Sequence, residues 1–421
     1  MKGTKKFLCL MLSLVLMGMT GCSTQNKPTP SVEPSTDPQD ALTALQDSDV
    51  DVLVIGAGGA GLSAAVSATE NGASVIVVEK MSMMGGNTLR SGGAFNSYDP
   101  EGQASTKMDD SLKATVEKLL AVEPVSDAHK QLIEDVQKQY DEYLASGSDS
   151  LFDSPEWHAL QTLDAGDYIG NIDLILTLTR NTLDTKKWLT ANGTTWDPTI
   201  RTVIGALWNR SAQTTNVSGA DFIAALSTQA EKNGAQIYLD TKAESLLQEN
   251  GKVVGATITN AEGKTVTVNA KSVVIASGDY AADDEMFQYY SPMTAYAMDG
   301  RFYNPPDCDT GDMHKQAIWA GAAMQKSEPH AAVMHLDFGA ASYGFLHVNW
   351  EGKRFKNEDV NTQSKSVTKA LQTQKDAWTI YDSHGLEQVK TQMDAGLGGG
   401  LQWGQLTQPV GGEYNLEAQQ I

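Results

Sequence analysis

The sequence predicts an α/β fold, and two observations support this prediction. An apolar run at 52–55 leads through the glycine-rich turn 56–61 into a helical segment at 62–71, and a second apolar run follows at 75–78. Further along, short strand-like segments between 236 and 277 are separated by Asn-Gly and Glu-Gly pairs, which are typical of hairpin turns. The first pattern indicates a strand, a helix and a parallel strand, so we expect a parallel sheet that carries an antiparallel insertion.

Each glycine of the turn has a separate expected role. Gly56 permits the tight turn out of the strand, Gly58 lets a pyrophosphate approach the backbone, and Gly61 lets the helix pack close to the strand. The helix N-terminus then presents free N–H groups and a positive dipole end to phosphates. Glu79 can accept hydrogen bonds from both hydroxyls of an adenosine ribose, and it disfavours a 2′-phosphate. This arrangement predicts a dinucleotide site; the alternative is a glycine-rich turn in an α/β protein of another kind.

Length and charge limit the possible functions. The 421 residues include 31 Lys and Arg against 52 Asp and Glu, which gives a net charge of −21. A nucleic-acid partner is therefore not expected, because such binding requires a basic patch that displaces counterions. A chain of this length that is 41% hydrophobic can form about two or three domains.

The first residues predict an export signal and a lipid anchor. Basic residues precede an apolar run at 7–19 that is short for a membrane span, which is the pattern of a signal peptide over 1–21. Small residues followed by Cys22 are typical of a bacterial lipoprotein cleavage site, and the alternative is an ordinary secretory signal. The composition of 22–48 predicts a disordered tether. We therefore expect an exported protein, lipid-anchored on the outer side of a bacterial cytoplasmic membrane.

Between the two sheet segments the pattern is mostly helical. Helices are predicted at 110–121, 128–146, 173–192 and 219–233. Four apolar residues of the third helix fall on one face and are expected in the core: Leu174, Leu178, Trp188 and Leu189. Arg210 lies in a segment that is expected to be buried, and it is a candidate contact for an anionic ligand.

The antiparallel insertion indicates which dinucleotide binds. Strands are predicted at 236–240, 243–248, 252–259 and 264–270, with a further apolar strand at 272–277. A β-meander placed between parallel strands is characteristic of FAD-binding proteins rather than NAD-dependent dehydrogenases. We therefore expect FAD in the dinucleotide site.

A set of motifs carries a family resemblance: 56–61 with Glu79, Gly85-Gly86-Asn87-Thr88, Ser91-Gly92-Gly93, Thr310-Gly311-Asp312, and Gly352-Lys353-Arg354-Phe355-x-Asn357-Glu358. From residue 50 to about 390 the chain resembles the FAD-dependent fumarate reductase and urocanate reductase family of flavoproteins. The resemblance implies a Rossmann-like FAD-binding domain with a β-meander insertion at 49–325, and a partial α+β clamp (substrate) domain at 326–421. It also implies that hydride from flavin N5 reduces the C=C bond of a small unsaturated acid. The electrons would come from a separate quinol- or flavin-linked redox protein, since the sequence has no haem motif.

Carried over position by position, the resemblance implies a set of FAD contacts. They are Ala60, Glu79, Asn87, Thr88, Gly92, Gly93, Ala243 and Asp312, together with Gly56, Gly58 and Gly61 of the turn. The match at Ala243 is looser than the others. No metal site is predicted.

The catalytic residues match the family less well. The family's proton-donating arginine falls at Thr362, which is neither a cation nor an acid. His330 and His335 are weak candidates for the substrate-binding histidine, and Arg210 is a weak candidate for an anion contact. Asp279 stands where the family has a second glycine after the meander. The family's C-terminal FAD segment has no match, so we expect a truncated copy of a longer reductase.

Two alternatives to an exported reductase remain open. Thr362, Asp279 and the unmatched C-terminal segment favour a catalytically inactive FAD-fold lipoprotein. A flavin-dependent dehydrogenase of steroid type would need a tyrosine base near the flavin, for which Tyr343 is available.

Overall fold

The structure, a computed structural model, describes residues 44–203, 206–292, 295, 308–325, 343–358, 360, 365–366, 368–369, 371–374 and 376–394. Its strands are β1 (Ser48–Ile55), β2 (Val75–Val78), β3 (Ala94–Asn96), β4 (Arg201–Val203), β5 (Ala206–Gln213), β6 (Gln236–Tyr238), β7 (Lys242–Glu249), β8 (Lys252–Thr259), β9 (Thr265–Ile275), β10 (Leu346–Asn349) and β11 (Ala377–Ile380). Its helices are α1 (Gly59–Glu70), α2 (Gly86–Leu89), α3 (Asp110–Leu120), α4 (Asp127–Ser146), α5 (Pro155–Ala165), α6 (Ile172–Ala191), α7 (Ala220–Lys232), α8 (Asp284–Tyr290), α9 (Asp312–Trp319) and α10 (Gly385–Asp394).

Six of the described strands form the central sheet, in the order β6-β2-β1-β9-β8-β7. β1 lies parallel to β2 on one side and to β9 on the other, so that Leu53 is opposite both Ile76 and Val273. β6 extends the parallel part beyond β2, whereas β8 and β7 continue the sheet as an antiparallel meander. This topology, with α1 between β1 and β2, confirms the predicted α/β fold and its insertion.

β9 corrects one element of the sequence prediction. The prediction of separate strands at 264–270 and 272–277 is wrong, because a single strand runs from Thr265 to Ile275. Residues 265–269 pair with β8 and residues 268–275 pair with β1, so the two pairings overlap within one strand. Lys271, between the two predicted strands, is exposed, and its ammonium lies 2.6 Å from a carboxylate oxygen of Asp51 on β1. The polar interruption in the sequence is therefore a cross-strand ion pair on the surface.

The sheet has an apolar core on each face, because side chains alternate along each strand. Val54 and Val77 point to one face and pack against residues of α1 and α7 such as Leu62. Leu53 points to the other face, where the core includes meander residues and Met313 of α9. Strands buried on both faces read as unbroken apolar runs, which is why β1 and β2 are recognisable in the sequence.

Residues before β1 belong to the folded part. Leu45 is 1% exposed, and its carbonyl accepts a hydrogen bond from the side-chain amide of Asn260 at 2.8 Å. Asp47 accepts a hydrogen bond from the N–H of Thr267. The predicted tether over 22–48 therefore ends too late, since its last residues are anchored to the meander.

The predicted signal peptide (1–21) and Cys22 lie outside the described residues. Within the part of the chain that the structure describes, no helix is both long enough and apolar enough to cross a membrane.

Helices α3 to α6 and strand β5 share an apolar core of their own. Trp157 of α5 and Trp208 of β5 are buried in it, with ring centroids 5.2 Å apart in an edge-to-face arrangement. The sequence prediction does not include α5. Ser154 caps this helix by accepting a hydrogen bond from the N–H of Trp157, and Pro155 lies in its first turn. A Ser-Pro-Glu start is the signal that identifies such a helix.

The apolar face predicted for the third helix, α6, is partly wrong. Leu189 is buried, but Leu174 and Leu178 are 69% and 61% exposed. The buried side of α6 also carries Thr179 and Thr182. Each of these hydroxyls donates a hydrogen bond to a carbonyl one turn earlier, so both side chains are buried without an unpaired donor.

The residues from 343 onward include a small pair of strands. β10 and β11 pair antiparallel, and Tyr343, Phe345 and Val389 form a buried cluster. Arg354, in the motif after β10, donates from Nε to Glu358 Oε1 at 3.1 Å. Arg354 therefore stabilises the turn that follows β10. The predicted domain boundary near 326 lies outside the described residues and stays a prediction.

A buried ion pair ties β5 to the segment before α5. Arg210 Nη2 lies 2.6 Å from Asp153 Oδ1, and the two side chains are only 3% and 1% exposed. Asp153 Oδ2 also accepts a hydrogen bond from Gln103 Nε2 at 2.6 Å. Removal of either partner would leave a buried charge without its counterion.

The Arg210→Ala substitution should therefore lower the free energy of unfolding by about 3–5 kcal/mol. The matched control is Arg201→Ala, because the Arg201–Asp197 pair is partly exposed (41% and 25%). The free energy of unfolding of this control should fall by at most about 1 kcal/mol. Urea unfolding followed by tryptophan fluorescence measures both variants. Equal losses would contradict the structural role of Arg210.

His158 makes the stability depend on pH. Burial, with the charge of Arg210 as a second cause, lowers the pKa of His158 to about 3. Its Nδ1 atom is buried and has no hydrogen-bond partner within the described part of the chain. The unfolded chain takes up this proton near the ordinary histidine pKa of about 6.5. Below that pH the unfolded state binds more protons than the folded state, so stability falls as the pH is lowered toward 3.

As the pH is lowered from about 6 to about 4.5, the free energy of unfolding should fall more steeply in wild type than in His158→Gln. The difference should be up to about 1.4 kcal/mol per pH unit. Urea unfolding at closely spaced pH values measures this difference. Parallel stability profiles for the two proteins would show that the folded state protonates His158 as readily as the unfolded chain does, so that burial does not lower its pKa.

Candidate functional site

A cavity of about 540 Å³ opens at the carboxyl ends of the parallel strands β1, β2 and β9. It is lined by residues from 55–60, 78–81, 86–88, 241–243, 275–278 and 308–314. In open parallel sheets, ligands bind at the carboxyl ends of the strands, at the point where the strand order reverses. The cavity therefore lies where the sequence predicts the dinucleotide site.

The glycine turn depends on residues without a Cβ. Gly56 has φ +106°, and a Cβ there would lie 2.3 Å from the carbonyl oxygen of Ala276. A Cβ at Gly61 would lie 1.9 Å from the carbonyl oxygen of Gly56, which confirms the predicted close packing of α1. α1 begins after Gly58 with no side-chain cap and no acidic residue in its first turn. The positive end of its dipole is thus available at the cavity, and this cradle fits a pyrophosphate.

Glu79, at the end of β2, is 9% exposed and is held by two backbone N–H groups. The N–H of Ala57 donates to Oε2 and the N–H of Met81 donates to Oε1, both at 2.9 Å. A carboxylate has about four acceptor positions, so about two remain for hydroxyl groups in the cavity. The bond from Ala57 means that Glu79 also orients the glycine turn, a role that the sequence prediction lacks.

Asn87 and Thr88 of α2 line the cavity, and their predicted contact with FAD stays a prediction. Thr88 Oγ1 accepts a hydrogen bond from the N–H of Gly59 at 3.2 Å, which joins α2 to the start of α1. Asn87 Nδ2 donates to Asp309 Oδ2 at 2.9 Å, which joins α2 to the segment before α9. Both side chains are thus held by bonds to neighbouring segments of the cavity wall.

Ala60, Ala243 and Asp312 also line the cavity. Asp312 is the first residue of α9 and does not cap it, since the cap position is Gly311 with φ 67°. Asp312 Oδ2 accepts a hydrogen bond from Thr310 Oγ1, and that hydroxyl accepts one from Lys80 Nζ, both at 2.8 Å. The Lys80 ammonium and the Asp312 carboxylate are therefore neighbours in the lining of the cavity.

Gly92 and Gly93 are not among the residues that line this cavity. The carbonyl of Gly92 accepts a hydrogen bond from Gln213 Nε2. Gly93 has φ +70°, and a Cβ there would lie 2.2 Å from Thr214 Oγ1. Gly93 therefore permits close packing of the segment before β3 against Thr214 and Ser218, whereas a Cβ at Gly92 would meet no atom within 4 Å. Their predicted contact with the cofactor stays a prediction.

The polar residues at the cavity that the sequence prediction misses include Cys308, Asp309 and His314. Asp309 is 7% exposed and has φ +49°. Burial lowers the pKa of His314, so its imidazole is neutral at pH 7. The only sequence signal for these residues is their closeness to the Thr310-Gly311-Asp312 motif.

Asp279 does not obstruct the cavity. Its Oδ1 accepts a hydrogen bond from the N–H of Ala281 at 2.7 Å, and the residue is not part of the cavity lining. Burial raises the pKa of Asp279, and the nearby charge of Asp309 raises it further. The position that requires a glycine is Gly278, with φ +85° and a Cβ position 2.3 Å from Asp309 Oδ1.

None of the weak catalytic candidates is among the described residues that line the cavity. His330, His335 and Thr362 lie outside the described residues. Arg210 is paired with Asp153 in the helical region and does not line the cavity. Among the residues that the structure describes, no group of three or more His, Cys, Asp or Glu is placed to hold a metal ion.

Comparison with known proteins identifies the family to which the chain belongs. Residues 51–298 match the family model described as FAD dependent oxidoreductase. The chain is 32% identical to the NADH:acrylate oxidoreductase of Vibrio harveyi, over 74% of this chain and 34% of that protein. It is 28% identical to the urocanate reductase of Eggerthella lenta, over 81% of this chain and 51% of that protein. The chain thus spans between about a third and about half of the length of these relatives.

Among solved structures, the chain is similar to the open conformation of a flavocytochrome c3 fumarate reductase, with a TM-score of 0.58 and 24% identity. The similarity covers 83% of this chain and 56% of that one, and it concerns the fold. The family model covers more than half of the chain, and the glycine turn, the start of α1 and Glu79 fit its cofactor. The chain therefore belongs to the FAD-dependent oxidoreductase family, and its cofactor is FAD.

Proposed function

We propose that the protein reduces the C=C bond of a small unsaturated acid. The observation that carries this proposal is the 32% identity, over 74% of the chain, with a protein named as an acrylate oxidoreductase. Acrylate, urocanate and fumarate, which appear in the names of the three similar proteins, each have a C=C bond activated by a carboxylate. We therefore propose this chemical class as the substrate.

Reduction of such a bond takes up two electrons and two protons. When bound and reduced by two electrons from the donor, the flavin would supply a hydride from N5 to one alkene carbon. The start of α1 would hold the pyrophosphate, and Glu79 would accept the ribose hydroxyls. The other alkene carbon needs a proton, which Thr362 cannot supply as the arginine at the family position would. We propose His330 or His335 as the residue that holds the substrate.

We also propose that the electrons reach this protein from a separate quinol- or flavin-linked redox protein. Reduction of a C=C bond consumes two electrons per substrate molecule, so the flavin must be reduced again by a donor in each turnover. Export and lipid anchoring at Cys22 are part of the same proposal, and they rest on the basic and apolar pattern of residues 1–22.

Two other functions have less support. A catalytically inactive FAD-fold lipoprotein is favoured by the residue at 362, a threonine where the family has its proton donor. A steroid-type flavin dehydrogenase would use a tyrosine base, and Tyr343 is poorly suited to that role. It is buried in a cluster with Phe345 and Val389, and burial raises its pKa to about 12.

The role of Glu79 is tested by FAD affinity. If its carboxylate accepts the ribose hydroxyls, Glu79→Ala should weaken FAD binding by about 1–3 kcal/mol, the scale of lost hydrogen bonds to a charged group. Titration of flavin-free protein with FAD, followed by flavin fluorescence, gives the Kd. The control is Glu231→Ala, an exposed acid on α7, which should bind FAD as wild type does. Unchanged affinity in Glu79→Ala would show that the adenosine half binds elsewhere.

The reductase activity is tested with FAD-loaded protein under anaerobic conditions. A reduced one-electron viologen dye serves as donor, and acrylate, fumarate and urocanate are supplied in turn. At least one acid should oxidise the dye in a protein-dependent way, with two dye molecules oxidised for each molecule of saturated acid formed. A protein that keeps its FAD but oxidises no dye with any acid would contradict the reductase and favour the inactive alternative.

A further inference from the structure

Asp309 is a buried carboxylate of the cavity that the proposed function does not use. Its Oδ2 accepts the hydrogen bond from Asn87 Nδ2 at 2.9 Å, and its Oδ1 accepts one from the N–H of Asp279 at 3.2 Å. Its backbone carbonyl accepts a hydrogen bond from the N–H of Ala282 at 3.0 Å. This residue therefore joins α2 and the segment after β9 to the segment before α9.

The surrounding backbone is shaped to accommodate this carboxylate. Gly278 lies against it, and a Cβ at that position would be only 2.3 Å from Asp309 Oδ1. Asp309 itself has φ +49°, a left-handed conformation that Asp and Asn adopt more readily than most residues with a Cβ. The neighbouring backbone therefore fixes the position of the Asp309 carboxylate, whereas the side chain of a surface acid can move freely.

The carboxylate determines which way the Asn87 amide faces. A carboxylate only accepts hydrogen bonds, whereas the asparagine amide has a donating nitrogen and an accepting oxygen. Asn87 must therefore turn Nδ2 toward Asp309, and this leaves its oxygen, Oδ1, for a ligand in the cavity. The two ends of an amide have nearly the same shape, so its orientation is set by such a neighbour.

We propose that Asp309 is a positioning residue that holds the Asn87 amide oxygen toward FAD, where it accepts a hydrogen bond from a hydroxyl group of the cofactor. The oxygens of the ionised pyrophosphate are acceptors and cannot donate to an amide oxygen. The hydroxyls of FAD are on its ribityl chain and on its adenosine ribose. This inference rests on FAD as the cofactor and is independent of which acid the protein reduces.

The test exchanges the two side chains, with FAD titration of the flavin-free full chain as the measurement. Asp309→Asn lets the Asn87 amide reverse, and Asn87→Asp sets two carboxylates against each other. Each should weaken FAD binding about threefold to tenfold, the effect of one or two lost hydrogen bonds. The double variant restores the pair, because the amide at 309 then donates to the carboxylate at 87, whose second oxygen still offers an acceptor to the cavity.

The double variant decides the proposal. It has the same net charge as wild type, and it should bind FAD more tightly than either single variant. If Asn87 met a phosphate instead, the carboxylate at 87 would repel it in the double variant as well. A double variant that binds FAD no better than Asn87→Asp overturns the proposal. Wild-type affinity in Asp309→Asn also overturns it.

The two possible hydroxyl sources are separated by repeating the titrations with ADP, which has the ribose and pyrophosphate but no ribityl chain. The same pattern of loss and recovery with ADP assigns the contact to the ribose. Unchanged ADP affinity in all three variants assigns it to the flavin half of FAD, whose hydroxyls are those of the ribityl chain.

A matched control exists outside the cavity. Asn216 Nδ2 donates to Asp221 Oδ1 at 2.9 Å, and exchanging these two side chains should leave the FAD affinity unchanged. Thermal unfolding without FAD checks that each variant folds. If Asn87→Asp is not recovered as folded protein, the comparison of Asp309→Asn with the double variant decides alone, because the proposal requires tighter binding by the double variant.

Discussion

The close approach of backbone segments at Gly56 is the constraint on which the cofactor cavity depends. The carbonyl of Ala276, the residue after β9, occupies the space of a side chain at 56, and the carbonyl of Gly56 occupies the space of one at Gly61. The N–H of Ala57 then reaches Glu79 at 2.9 Å. The turn that places the start of α1 therefore also holds the acid, so one added methyl group would disturb the phosphate end and the ribose end of the site together.

Features that depend on local sequence could be predicted. The turn, α1 and Glu79 are covalently close, so their spacing alone places them at one end of the sheet. Helices α3 and α4, at 110–120 and 127–146, agree with the sequence prediction to within a residue or two at each end. Both begin at side-chain caps, Asp109 and Ser126, whose hydrogen bonds are made within the same turn.

Features that depend on contacts distant in sequence could not be predicted. Asn87 and Asp309 are 222 residues apart, and nothing in either segment specifies the other. The prediction for α6 failed in a similar way, because Leu174 and Leu178 have apolar character but the buried side is set by the packing of α5 and α6. At Lys271 the polar residue marks an exposed position in a continuous strand, since its partner Asp51 is on β1. In each case tertiary contacts override a local pattern.

The short range of hydrogen bonds, compared with that of net charge, explains how a chain with a net charge of −21 can bind a cofactor with a negatively charged pyrophosphate. Net charge acts over a distance and is screened by salt, whereas N–H groups and a helix terminus act at contact. The acids of the cavity are each held by donors from the fold: Glu79 by two backbone N–H groups, Asp309 by Asn87, and Asp312 by Thr310. Donors at the start of α1 are then available for phosphates, and carboxylate or amide oxygens are available for hydroxyls. The acidity that argues against nucleic acid as a partner is therefore compatible with a dinucleotide, because each part of the cofactor is recognised by a group of matching chemistry rather than by the charge of the whole protein.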